Sequence, residues 1–160
     1  MGLDCLPRAC GDLTHRHSGA FPAGLIHAET EPCPFADEGF VTGMFATCCS
    51  LRGKAAAYEL AALGETELSD AMYSNMTCEA ALEFALRLRA CADRLQRTYV
   101  HPTDKPHGAD WGGCRRNPTT GALEEYHDYT TFEDALARIR EAARWYEKIG
   151  LLGFGVDAWY

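Results

Sequence analysis

The stretch from residue 39 to residue 63 constrains the fold most, because it joins an irregular front part of the chain to a regular remainder. It opens with a short apolar run that is too short for a helix and fits a strand or a buried loop. Thr47 then occupies the position of a helix cap, and Gly64 that of a C-terminal glycine. The apolar residues between them recur at the spacing of one helical face: Leu51, Ala55, Tyr58 and Ala62. The sequence therefore predicts a central packing helix here.

Length and composition indicate an ordinary globular protein. With 160 residues, 47% of them hydrophobic and 24% charged, we expect a single domain over residues 1–160. Its formal net charge of −8 disfavours nucleic acid or an anionic membrane as partner and leaves room for a basic protein partner. No apolar run approaches the length of a membrane span, and no signal core is visible near Met1. We therefore expect a cytoplasmic protein.

Three further segments carry helical patterns. A short helix is expected near Leu68, where methionines recur as core filling. Thr77 caps a second helix that extends to Tyr99, and the apolar stripe of this helix is Ala81, Ala85, Leu88, Ala92, Leu95 and Tyr99. Thr130 and Glu133 form a capping box that opens the last long helix, which ends at Gly150. Its predicted buried face is Phe132, Leu136, Ile139, Ala143 and Tyr146.

The best strand pattern lies at about 110–129. Two runs rich in bulky residues flank a turn at 117–121, with Gly121 at the position that needs a positive φ. A third strand from the region of Phe40 would support this hairpin, and the apolar tail 151–160 is predicted to form a final strand. The predicted class is α+β, with three or four helices packed on a small antiparallel sheet over 39–160 and an irregular N-terminal arm over 1–38.

The N-terminal arm is dense in soft metal ligands. It has too little apolar material to fold alone, so a structural zinc ion would stabilise it. The candidate ligands are Cys5, Cys10, His15, His17, His27 and Cys33. Four residues separate the first two cysteines, which fits a zinc site, whereas only one residue separates His15 from His17, fewer than the three to five that usually separate the histidines of such a site. The alternative is an arm whose polar residues are merely solvated.

The second candidate site is the adjacent pair Cys48 and Cys49. In the first turn of the helix predicted from Thr47, unpaired N–H groups and the helix dipole favour a thiolate. A cysteine nucleophile needs a base, and His127 is the candidate, oriented by Asp110 or Asp128. A cysteine at a helix start with a histidine downstream resembles papain-like and transglutaminase-like enzymes, although the likeness covers only these few residues. The alternative is that one thiol of the pair points into the core as a small hydrophobic group.

Two functions are consistent with these patterns. The first is a small intracellular interaction or regulatory domain without catalysis of its own, in which a protein partner binds and zinc holds the arm. Its acidic charge and the absence of a complete catalytic set in the sequence favour it. The second is a cysteine-dependent hydrolase, transferase or thiol redox protein that uses Cys48 or Cys49 with His127. Eight cysteines make the chain cysteine-rich, and without a visible secretion signal we expect them to be reduced.

Overall fold

A computed structural model describes residues 3–9, 51–101 and 108–159 of the chain. Along these ranges the elements are strand β1 (Asp4–Ala9), helices α1 (Gly53–Ala62), α2 (Thr66–Ala71) and α3 (Cys78–Thr98), strands β2 (Gly113–Arg116) and β3 (Leu123–Tyr126), helix α4 (Phe132–Leu151) and strand β4 (Phe154–Trp159). Four helices and two antiparallel two-stranded sheets, β1 with β4 and β2 with β3, make up the described part of the fold. The predicted α+β class is therefore confirmed.

Helices α3 and α4 lie antiparallel and form the centre of the core. Five residues of the predicted α3 stripe, Ala81, Ala85, Leu88, Ala92 and Leu95, are buried, and so is the whole predicted face of α4. Between the helices, the Phe84 ring meets the edge of Tyr146 with 4.9 Å between centroids. The outer faces are charged and joined by ion pairs such as Arg140 with Asp93. No helix in the described ranges is both long and apolar enough to cross a bilayer.

Both long helices begin at a threonine cap. Thr77 Oγ1 accepts a hydrogen bond from Ala80 N at 3.2 Å, which confirms the predicted start of α3. Helix α4 is capped by Thr131, one residue later than predicted, and its capping partner is Asp134. Thr130 is not the cap because its backbone N–H donates to Ala109 O at 3.0 Å and so belongs to the preceding antiparallel pairing.

Helix α1 is shorter than predicted and buries a different face. It begins at Gly53, because Leu51 pairs with Cys5 in an isolated bridge and its backbone is extended. The predicted face was wrong: Tyr58 and Ala62 are exposed. The buried residues of this helix are instead Gly53, Ala56, Ala57, Glu59 and Leu60. Gly64 follows with φ +86°, as predicted for the glycine that ends the helix.

The first and last strands of the fold pair with each other. Strand β1 runs antiparallel to β4, from the pair Asp4 and Trp159 to the pair Ala9 and Phe154. The predicted final strand is thereby confirmed, whereas the prediction of an irregular arm fails for Asp4–Ala9. No period of two marks β1 in the sequence, and its partner lies at the other end of the chain, so local reasoning did not find it. Residues 10–38 of the predicted arm lie outside the described ranges.

Candidate functional site: an exposed hairpin and its root

Strands β2 and β3 belong to a longer antiparallel hairpin over residues 110–129. The strand register runs from Gly113 opposite Tyr126 to Arg116 opposite Leu123. Backbone bonds continue the same register at both ends: Thr130 N to Ala109 O at 3.0 Å, Trp111 N to Asp128 O at 2.8 Å, and Asn117 N to Ala122 O at 2.8 Å. The predicted hairpin is therefore confirmed, without a bulge between its root (109–111 with 128–130) and its turn (117–122).

The hairpin extends away from the helices. All eight residues of β2 and β3 are exposed, and Leu123 and Tyr126 keep 69% and 40% of their surface in contact with solvent. In the described part of the chain the sheet has only these two strands, so both of its faces and both of its outer edges are open. A two-stranded ribbon without a covered face is marginally stable in water, so its shape depends on the turn and the root.

The turn is fixed by Asn117 and Gly121. Oδ1 of Asn117 accepts hydrogen bonds from the backbone N–H groups of Thr119 and Thr120 at 2.8 and 3.0 Å, a typical asparagine turn. Gly121 has φ +72°, which confirms the predicted positive φ, and its carbonyl accepts from Arg116 Nη1 at 2.7 Å. These local bonds define the register without help from the core.

His127 and Asp110 form a hydrogen-bonded pair near the root. The distance from His127 Nδ1 to Asp110 Oδ2 is 2.5 Å, and the Tyr129 ring stacks on the imidazole with 5.4 Å between centroids. The hydrogen bond to Asp110 raises the pKa of His127, and the hydrogen bond from His127, with backbone bonds from Gly112 and Asp128, lowers the pKa of Asp110 to about 2. Since Asp110 holds Nδ1, only Nε2 is left to act on another molecule.

A glycine makes room for this pair. Gly112 lies opposite His127 in the continued register, and a Cβ built there would stand 2.0 Å from Tyr126 O and 2.8 Å from Asp110 Oδ1. Real Cβ atoms do not approach neighbours so closely, so any other residue at this position would displace the partner strand. Gly113, the next residue, has no neighbour within 4 Å of such a Cβ.

A buried glutamate ties the root of the hairpin to the helices. The side chain of Glu59 is fully buried, and its oxygens accept bonds from Arg138 Nη1 at 2.7 Å, Ala109 N at 2.8 Å and Trp111 Nε1 at 3.1 Å. A buried carboxylate is stable only with such partners. Sequence reasoning missed this residue, although Glu59 falls at helical spacing within the apolar stripe of Ala56, Leu60 and Leu63.

Aromatic and cationic side chains cover the same root. The Trp111 ring stacks on Tyr58 at 5.3 Å and an angle of 26°, and the Arg138 guanidinium lies 5.1 Å from the centroid of the Trp111 ring. Lys54 Nζ lies 4.8 Å from the ring of Tyr58. Helices α1 and α4 thus hold the root between them, while the strands beyond it are held only by their own bonds.

The other predicted site residues are placed as follows. Cys5 is fully buried, its Sγ lies 3.4 Å from Tyr146 Oη, and burial raises its pKa to about 12. Cys48 and Cys49 lie outside the described residues, as do the remaining predicted zinc ligands, Cys10, His15, His17, His27 and Cys33. Because α1 begins at Gly53, the prediction that Cys48 and Cys49 lie in its first turn is wrong. Within residues 3–9, 51–101 and 108–159, no group of three or more cysteine, histidine or acidic side chains is placed to hold a metal ion. The zinc site of the arm therefore stays a prediction.

Of the two acids proposed to orient His127, the structure selects Asp110. Asp128 instead contributes its backbone N–H, which donates to Asp110 Oδ1 at 3.0 Å. Comparison of this chain with known protein families, curated protein sequences and solved structures gives no match. Inference about function therefore depends on the geometry of the hairpin and its root.

Proposed function

We propose that this protein is a non-catalytic protein-interaction domain and that the hairpin is its contact element. The observation that carries the proposal is the full exposure of β2 and β3, with Leu123 and Tyr126 among the exposed residues. Tyrosine and arginine are enriched at protein interfaces, and Arg115 lies with its guanidinium 5.5 Å from the centroid of the Tyr126 ring.

The anchoring of the root supports this function. A binding element works best when it is presented in one orientation, because less conformational freedom is then lost on binding. Glu59, Trp111 and Arg138 supply that orientation from the helical part of the fold. The exposed strands contribute nothing to the core, so stability of the fold alone does not account for them.

Affinity capture from an extract of the cells that make the protein tests the proposal. The wild type is compared with a Leu123→Ser, Tyr126→Ser double variant and with Leu86→Ser, which removes a similarly exposed leucine (63%) from α3. We expect at least one protein to be captured by wild type and by Leu86→Ser but not by the hairpin variant. If the hairpin variant, shown to be folded by circular dichroism, captures the same set as wild type, the proposal is wrong.

A second candidate function is the cysteine-dependent enzyme, and the His127 and Asp110 pair favours it. A carboxylate bound to Nδ1 orients the imidazole of a general base and stabilises its protonated form. In this function His127 Nε2 would take the proton of Cys48 or Cys49. Mass-spectrometric mapping of iodoacetamide labelling at neutral pH compares wild type with His127→Ala. If neither thiol reacts faster than a free-cysteine peptide, or if His127→Ala leaves their rates unchanged, the enzyme hypothesis is refuted.

A further inference from the structure

The register of the hairpin determines which backbone groups point outward. In an antiparallel ladder, hydrogen-bonded pairs alternate with non-hydrogen-bonded pairs, whose N–H and C=O groups point away from the partner strand. The bonds at the pairs 109/130, 111/128 and 117/122 fix this alternation. Gly113 with Tyr126 and Arg115 with Glu124 are therefore hydrogen-bonded pairs, and Cys114 with Glu125 is a non-hydrogen-bonded pair.

Each outer edge consequently offers backbone groups to a third strand. On β3, the N–H and C=O of Leu123 and Glu125 point outward, and on β2 those of Cys114 and Arg116 do so. An exposed edge of this kind pairs with extended peptides, since main-chain bonds supply affinity and alternate side chains supply specificity. In the described part of the chain neither edge carries a third strand.

The two edges differ in charge. Strand β2 carries Arg115 and Arg116, whereas β3 carries Glu124 and Glu125. A strand added to β3 would lie beside both glutamates and beside the exposed Leu123 and Tyr126. Glu124 and Glu125 are consecutive on β3, between Leu123 and Tyr126, and therefore lie on opposite faces of the ribbon. Opposite charges on neighbouring strands stabilise pairing, so the favourable addition to β3 is a strand with two consecutive basic residues flanked by apolar residues. The net charge of −8 draws a basic partner toward the protein over longer distances.

We propose that the outer edge of β3 binds an extended, basic peptide segment of a partner protein by strand addition. This inference rests on the proposed function of the hairpin as the contact element. A second copy of this chain is a poorer occupant. Pairing β3 with β3 sets glutamate against glutamate, and both copies carry the charge of −8. Pairing β3 with the arginine-bearing β2 of another copy is a heterologous contact, which leaves free edges at both ends of the assembly unless it closes into a ring.

A pair of proline substitutions tests the edge. Glu125→Pro removes an outward N–H from β3, and Cys114→Pro removes the matching outward N–H from β2, directly opposite. Neither residue donates within the hairpin, so both variants keep its internal ladder. The cross-strand Hα–Hα contact between residues 114 and 125 in the NMR spectrum verifies this, since Cα atoms lie close together in non-hydrogen-bonded pairs.

The probe is a fluorescent octapeptide in which the sequence Val-Lys-Lys-Val is repeated twice, and the control carries glutamate in place of each lysine. Binding is followed by fluorescence anisotropy at low salt. We expect the lysine peptide to bind wild type and Cys114→Pro alike, and Glu125→Pro to weaken binding about tenfold. Glu125→Lys should shift the preference toward the glutamate peptide. The inference is overturned if the lysine peptide does not bind wild type, if the glutamate peptide binds it better, or if Cys114→Pro rather than Glu125→Pro abolishes binding.

Two further outcomes separate this inference from the proposed function. If analytical ultracentrifugation shows self-association that Glu125→Pro abolishes, a second copy occupies the edge and the peptide proposal is wrong. If the lysine peptide fails to bind while a captured protein still depends on Leu123 and Tyr126, the hairpin remains the contact element and only strand addition fails. If the lysine peptide does not bind and no captured protein depends on Leu123 and Tyr126, both strand addition and the role of the hairpin as the contact element are wrong.

Discussion

Arg138 Nη1 lies 2.7 Å from Glu59 Oε1, and this ion pair joins α4 to α1 directly beneath the hairpin. The two residues are 79 positions apart in the chain. Glu59 also binds the backbone of Ala109 and the indole of Trp111, so one carboxylate connects three separate segments. Glu59 is therefore the residue through which the orientation of the hairpin depends on the packing of the helices.

Replacing Glu59 should destabilise the whole fold. In Glu59→Ala the N–H groups of Ala109 and Trp111 lose their acceptor and Arg138 loses its counter-ion, so we expect the free energy of unfolding to fall by about 3 kcal/mol. Glu67→Ala is the matched control, because Glu67 makes an exposed ion pair with Arg87 and such pairs contribute less than about 1 kcal/mol. Urea denaturation followed by tryptophan fluorescence measures both changes. Equal effects of the two substitutions would contradict the role assigned to Glu59.

The glycines at 112 and 113 should differ sharply in their tolerance of a side chain. Gly112→Ala places a methyl group 2.0 Å from Tyr126 O, so we expect a loss of about 1–3 kcal/mol as the strands separate locally. Gly113→Ala meets no atom within 4 Å and should leave the hairpin unchanged. Chemical shifts of His127 report whether its contact with Asp110 survives. If the hairpin is intact in both variants, the close approach between Gly112 and the carbonyl oxygen of Tyr126 is incorrect.

The stability of the hairpin root should depend on pH in two ways. The pKa of His127 is raised above its ordinary value of 6.5, so its stabilising bond is complete below pH 6.5 and is lost as pH rises through the folded-state pKa. The pKa of Asp110 is lowered from 3.8 to about 2, so its contribution is present above pH 3.8 and is lost as pH falls through about 2. Protection factors of the amides in β2 and β3, which correct the exchange rates for their intrinsic pH dependence, should therefore be highest between about pH 4 and 6.5.

The isosteric variant Asp110→Asn checks the cause of this dependence. Asparagine keeps an oxygen that can accept from the N–H groups of Gly112 and Asp128, but it carries no charge. An NMR titration should therefore place the pKa of His127 in this variant closer to 6.5 than in wild type. Because Glu125 also raises the pKa of His127, a smaller elevation should remain. Identical titration curves would show that Asp110 does not perturb His127.

The cysteines of the described ranges should react at very different rates. Cys114 is exposed on β2, whereas burial raises the pKa of Cys5 to about 12 and that of Cys91 to about 11. For Cys5 this lowers the thiolate fraction at pH 8 about a thousandfold, and the core also blocks access. We expect iodoacetamide, followed by peptide mapping, to label Cys114 first and Cys5 last. In urea, which unfolds the protein, the cysteines should be labelled at similar rates. Early labelling of Cys5 in the native protein would contradict its placement in the core.

Features that depend on neighbouring residues could be predicted from the sequence. The α3 stripe that begins at Ala81, the cap at Thr77 and the positive φ at Gly121 each follow from a few adjacent positions. His127 is also predicted to lie beside Asp110 or Asp128, and the hairpin register places Asp110 next to its ring. For these features, local chemistry decides the structure.

Features that depend on distant partners could not be predicted. Asp4–Ala9 has no strand period, and it is extended because β4 supplies its hydrogen bonds. Glu59 has the residue type of a solvated helix face, and only Arg138, Ala109 and Trp111 make its burial possible. The error in the buried face of α1 has the same origin, since Tyr58 was assigned to the core although it covers Trp111 at the surface.

The pairing of β1 with β4 has a consequence for the order of folding. The two strands are the first and last described elements, so their contacts close a loop that spans almost the whole chain. Such contacts carry the largest entropic cost of closure and form late. During synthesis on the ribosome, α3 and the hairpin can form from local contacts, but β1 waits for β4 to leave the exit tunnel. Until then β1 lacks the strand that holds it against the core, so the thiol of Cys5 is accessible in the nascent chain and buried in the finished protein.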